Sequence, residues 1–238
     1  MRSWRQISTL DFRLRLALVL VIEIAYMAWS RYVYDTDLEH FATVELFRTP
    51  ARIIAAFAFW LLMPDVIFSR RSNLSTVQHP FFWSAAICIG ASSVLTSPMD
   101  VPLRDTFIIC LATIPVGVHE EFFFRGIVQN LIVRRIGVFW GVVLTTTLFT
   151  LWHVGATPDN GFNYTLIALA GLALGIIYLK TGSIALAATL HALDDVLGSL
   201  PPWLDWNPGL GFVSLAIGVS LFGMWAGLKA LPNFPARN

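Results

Sequence analysis

Residues 106–133 run TFIICLATIPVGVHEEFFFRGIVQNLIV, a stretch that decides what kind of fold this chain can adopt. It exceeds the ~20 mostly apolar residues that carry an α-helix across the hydrocarbon of a bilayer, so it is expected to form a transmembrane helix. Yet His119, Glu120, Glu121 and Arg125 stand in its middle. On insertion scales a single Asp, Lys or Arg at a helix centre costs roughly 2.5–3.5 kcal/mol. A helix that keeps several such groups has to satisfy them against polar partners on neighbouring helices.

The rest of the chain supplies those neighbours. It is 56% hydrophobic and 13% charged with a mean hydropathy of +0.68, where soluble domains carry about 25% charged residues. Further apolar runs cover residues 14–29, 52–68, 81–95, 138–154, 164–179, 183–200 and 210–228. Together these predict an all-α polytopic transmembrane bundle of about eight helices, the runs near Phe81 and Tyr164 being short enough to be tilted, partial or re-entrant. Unbroken runs of this kind exclude a β-barrel, whose strands alternate in polarity. Residues 31–49 form the longest polar connection, and PPWLDWNP at 201–208 is a tryptophan-bearing interfacial turn.

Basic residues fall on alternate sides. Arg2, Arg5, Arg13 and Arg15, then Arg70 and Arg71, Arg134 and Arg135, Lys180, and Lys229 with Arg237 share one side. Arg31, Arg48, Arg52 and Arg104, mixed with acids, occupy the other. The positive-inside rule therefore places both termini in the cytoplasm. The first run has a basic flank like a signal peptide but no clean small-x-small cleavage site after it, so it is expected to be a retained span. A net charge of +1 speaks against a nucleic-acid partner. Cys88 and Cys110 lack CxxC spacing and are expected to be buried packing residues.

Spacing sorts the polar residues inside the spans. Glu121 and Arg125 are four apart, in the order that favours a same-face ion pair. Phe149 and His153 share a face, as do His191 and Asp195. At ~1.5 Å of rise per residue, Glu120, His153 and Asp195 lie about 21, 22 and 18 Å from the cytoplasmic edge and His191 about 12 Å, so three helices converge on one buried polar site. Glu23 and Asp65 are expected to be structural, Asp65 standing near Arg70 at a helix end. His119 is expected to make an ordinary polar contact away from Glu121. Gly171 and Gly175 give a GxxxG spacing that either admits a close helix or simply packs.

Two adjacent carboxylates in low dielectric do not both ionise cheaply. Arg125 neutralises Glu121 by helix spacing and leaves Glu120 free to take a proton from water, the general-base half of a hydrolysis. The oxyanion that water attack creates needs a donor. His191 can supply one, with Asp195 fixing its tautomer, while His153 orients the water. The competing chemistry is a metal centre on Glu120, His153 and His191. The HExxH signature is absent, because position 123 is Phe. No GxSG or GxGD motif occurs, and the Tyr34–Asp35 pair is expected in a loop.

The ordered set EEFFFR (120–125), FTLWH (149–153) and HALDD (191–195), with GIIYLKTGSI between the last two, resembles the CPBP family of intramembrane proteases. That family includes the type II CAAX prenyl endopeptidases and bacteriocin-processing or self-immunity, Abi-like proteins. The resemblance implies that Glu120 activates water with His153, that His191 and residue 195 stabilise the oxyanion, and that Glu121 and Arg125 support them. One position departs: the endopeptidases carry Asn where this chain has Asp195. An ionised Asp195 would repel an oxyanion, so it is expected to be protonated, to act through His191 or to support a metal.

The expected organisation is three N-terminal spans in residues 1–105, a CPBP-like catalytic core in 106–200 and a C-terminal helix and tail in 201–238. The expected function is endoproteolysis of a membrane-associated peptide or protein, without a cofactor, in a bacterial-type inner membrane. A metal-dependent version of the same protease and a non-catalytic immunity or binding protein are the alternatives. A proton-coupled transporter is weakened by the absence of an inverted repeat.

Overall fold

The computed structural model describes residues 10–33, 38–96, 103–155, 161–199 and 207–227, and no strand occurs among them. The N-terminal Arg2 and Arg5, Tyr34, Asp35, the 201–206 part of the tryptophan-bearing turn, Lys229 and Arg237 lie outside the described residues. The helices are α1 (Phe12–Tyr32), α2 (Leu38–Leu62), the single turn α3 (Pro64–Ile67), α4 (Pro80–Thr96), α5 (Leu103–Glu121), α6 (Asn130–Ile136), α7 (Val138–Trp152), α8 (Gly161–Thr181), α9 (Ile184–Gly198) and α10 (Pro208–Gly227). Each expected span corresponds to one of the long helices. Three stretches are long and apolar enough to cross a membrane: Arg104–Ile136, Tyr164–Thr181 and Pro208–Gly227.

The central stretch is one continuous helix with a change of geometry inside it. Phe122–Gln129, between α5 and α6, is π-helical, a wider turn with i→i+5 bonding that is often found at functional sites. Phe123, Phe124 and Ile127 on this segment pack against Phe59, Met63, Ile67 and Tyr178 in the largest core cluster. Lipid is as apolar as these side chains, so helix association rests on close packing and on buried polar bonds.

Four local expectations are corrected. The stretch 31–49 is not mainly a polar connection, since α2 begins at Leu38. Its polar residues pair along the helix instead: Arg48 Nη1 lies 2.6 Å from Glu45 Oε1, and Arg52 bonds the other Glu45 oxygen. Asp65 pairs with Arg15 of α1 at 2.8 Å rather than with Arg70, which donates to Asn130 and to the Leu179 carbonyl. The run near Tyr164 belongs to a full-length helix of 21 residues, whereas α4 has 17. Cys88 and Cys110 are half-buried free thiols.

Candidate active site

Glu121, the last residue of α5, is the buried anion around which the site is built. Its Oε1 lies 2.8 Å from Arg125 Nη1 in an ion pair and accepts from His191 Nδ1 at 2.9 Å. The i,i+4 pair expected from spacing therefore forms, and both its members are fully enclosed. His191 arrives from α9, one turn after a point where α9 touches α5. A Cβ on Gly117 would lie 2.6 Å from the Ala188 carbonyl oxygen and 3.0 Å from the Ala192 nitrogen. The missing side chain is what lets the two backbones come close enough for His191 to reach Glu121.

This geometry corrects the expected role of Asp195 as the group that fixes the His191 tautomer. Its Oδ2 stands 3.8 Å from Nε2 of His191, beyond hydrogen-bond distance, and its side chain is about a third exposed. Helix spacing brings the two residues to one face but does not aim the ring. The closer acceptor, Glu121, accepts the hydrogen bond from Nδ1–H.

Glu120 faces the other way. Its Oε2 is buried without a hydrogen-bond partner, 3.7 Å from His153 Nε2 and 3.8 Å from His191 Nε2. His153 is the C-cap of α7, and its Nδ1 donates to the Phe149 carbonyl at 2.8 Å. A carbonyl only accepts, so the proton of the neutral ring sits on Nδ1 and Nε2 presents a lone pair. Separations of this size are too long for direct bonds and fit a bridging water. Glu120, His153 and His191, expected together from three separate helices, do meet.

Several supporting contacts were invisible in the sequence pattern. Arg125 Nη2 donates to the Gly171 carbonyl at 3.0 Å and its guanidinium lies 4.4 Å over the Phe149 ring. Four residues on, Gln129 Nε2 donates to the Gly175 carbonyl, also at 3.0 Å. The GxxxG of α8 thus meets the π segment, and a Cβ at Gly171 would come within 2.9 Å of Phe149. His119, expected to make an ordinary polar contact, and Glu23, expected to be structural, pair at 2.8 Å between α5 and α1 in full burial. Asp194 accepts a short hydrogen bond from the Ser93 hydroxyl of α4. None of these partners shares a local spacing that sequence could reveal.

A cavity of about 150 Å³ opens beside the imidazoles and is lined by Ser92, Ser93, His153, His191, Asp194 and Asp195 among others. An apolar cavity of about 510 Å³ adjoins it, sharing Ala170, Leu174 and Asp194. Among the described residues no group of three or more His, Cys, Asp or Glu side chains has the arrangement of a metal site. Both histidines commit Nδ1 to other acceptors and turn Nε2 toward Glu120, an arrangement in which Glu120, His153 and His191 could hold a divalent metal as well as face a water.

Residues 102–197 match the family of type II CAAX prenyl endopeptidase Rce1-like proteins. This segment is similar to an Rce1-like domain. The Rce1-like segment spans α5 to almost the end of α9 and holds Glu120, Glu121, Arg125, His153, His191 and Asp195, while α1–α4 and α10 lie outside it. The match together with three helical stretches long and apolar enough to cross a membrane supports an integral membrane protein. No curated protein and no solved structure matches the chain.

Proposed function

We propose that the chain is an intramembrane endopeptidase that hydrolyses a peptide bond of a membrane-associated substrate with water activated by Glu120. The observation that carries this is the unpartnered Glu120 Oε2, faced by Nε2 of both His153 and His191 at 3.7 and 3.8 Å. A water in that space donates one hydrogen to Glu120 and the other to His153. Glu120 takes its proton as the oxygen attacks the carbonyl carbon. His191, doubly protonated, keeps Nδ1–H on Glu121 and turns Nε2–H toward the oxyanion. Glu120 then returns the proton to the amide nitrogen as the C–N bond breaks, giving a carboxylic acid and an amine. Asp195 acts through His191, supporting the imidazolium charge from the exposed side. The match to prenyl endopeptidases and the adjoining apolar cavity support a lipid-modified or hydrophobic peptide as substrate, with both chain termini cytoplasmic in a bacterial-type inner membrane.

The test is Glu120→Gln, which keeps shape and hydrogen bonding but removes the base. Membrane proteomes of cells carrying the wild-type or the variant chain are compared. A polypeptide cleaved only with the wild type is expected to accumulate intact, its processing slowed by about 10²–10⁴-fold. Normal processing by E120Q overturns the role of Glu120. An unchanged phenotype with no cleaved polypeptide in either strain favours a binding or immunity protein.

A further inference from the structure

Helix α1 lies outside the Rce1-like segment, yet it reaches both halves of the site. Near its middle, Glu23 Oε2 holds His119 Nε2 at 2.8 Å, and His119 is the residue before Glu120. The His119 ring is wedged by Tyr26, edge-on at 4.5 Å, and by Phe59, stacked at 5.6 Å. Tyr26 is itself fixed, since its hydroxyl accepts from Arg52 Nε at 2.8 Å. Further along α1, Arg31 Nη2 donates to the carbonyls of Trp152 at 2.8 Å and Val154 at 2.5 Å. Those two residues flank His153.

The last carbonyls of a helix have no intrahelical partner, and within a membrane water does not readily supply one. At the end of α7 a cation from another helix fills that need and also complements the negative end of the helix dipole. The chain leaves α7 through Gly155 at φ +74°, a conformation that glycine adopts freely, directly beside the Arg31 guanidinium. His153 therefore projects from a backbone held on both sides. Glu23 and Arg31 are eight positions apart, ~12 Å along one rigid rod.

We infer that α1 is a positioning element for the reaction: Arg31 sets the place of His153, Glu23 through His119 sets that of Glu120, and their fixed spacing sets the gap in which the water sits. Arg31 and Glu23 touch neither substrate nor water and are positioning residues. This rests on the proposed hydrolytic role of Glu120 and His153 for its consequence, but the positioning itself is measurable without turnover.

The test uses the full chain in lipid nanodiscs with ¹⁵N-labelled histidine, whose five imidazoles are assigned by single substitutions. Arg31→Met is expected to move the His153 nitrogen signals as its Nδ1 bond to Phe149 loosens, while those of His191, held by Glu121, stay in place. Glu23→Gln is expected to move His119 and to leave His153 unchanged. With a peptide carrying a farnesylated cysteine as probe, R31M is expected to lower kcat by about ten- to hundredfold with KM unchanged, and Arg31→Lys to restore part of it. An R31M chain that folds with an unmoved His153 signal overturns the inference. If R31M does not fold, Arg31→Lys decides: a displaced His153 signal with His191 unmoved supports positioning, and a wild-type spectrum overturns it. Failure of the wild type to cleave the probe counts against that substrate or the hydrolytic function, and the histidine spectra still decide the positioning.

Discussion

Glu121 accepts the Nδ1 proton of His191 at 2.9 Å, on the same carboxylate oxygen that receives Arg125. One buried anion thus joins α5, the π segment and α9. Glu121→Gln leaves Arg125 charged and enclosed without its counter-ion, a change that costs on the order of 3–5 kcal/mol when one partner of a buried pair is removed. Thermal unfolding in detergent micelles is expected to shift down accordingly. The double variant E121Q/R125M is expected to recover part of that loss, and additive losses in this cycle would mean that the two groups are not coupled.

Gly117→Ala puts a methyl group 2.6 Å from the Ala188 carbonyl oxygen, so α9 must move away from α5. The expected destabilisation is about 1–3 kcal/mol, as for other overpacked contacts, with a larger loss of peptide cleavage because His191 retreats from Glu121. Gly223→Ala on α10 is the control. Nothing lies within 4 Å of a Cβ there, so its stability is expected to stay within about 0.5 kcal/mol of wild type.

Gln129→Leu removes the interhelical bond that the Gly175 carbonyl accepts in addition to its own intrahelical one, in a fully buried setting. Loss of one buried hydrogen bond costs about 0.5–1.5 kcal/mol, to be read from denaturant or thermal unfolding. Gln129→Glu is expected to be worse, because it sets an acceptor against that carbonyl. Equal stability for all three chains would show that this rung carries no load.

Incubation with a chelator is expected to leave peptide cleavage by the purified chain intact, as proposed for water activated by Glu120 alone. Loss of cleavage, restored by a divalent metal, would return Glu120, His153 and His191 to the role of ligands.

Much of this was legible from residue order because two of its determinants are local. Apolar run length announces a helix that can cross a bilayer, and each of the eight expected runs corresponds to a helix. The i,i+4 spacing placed Glu121 against Arg125 and Phe149 beside His153, since helical geometry alone fixes those distances. Depth on separate helices pointed to one shared site with His191 shallower than Glu120 and His153, whereas in the structure His153 and His191 both stand within 3.8 Å of Glu120.

Tertiary structure alone decided which acceptor each histidine would choose. His191 takes Glu121 rather than Asp195 because Gly117 lets α9 approach α5. Glu23, Arg31, Gln129 and Ser93 find partners between 46 and 123 positions away. Helical periodicity governs neighbours within a turn or two and is silent on which helix lies alongside. That is fixed by where small residues allow backbones to touch and by the cost of leaving any buried polar group unpaired in lipid.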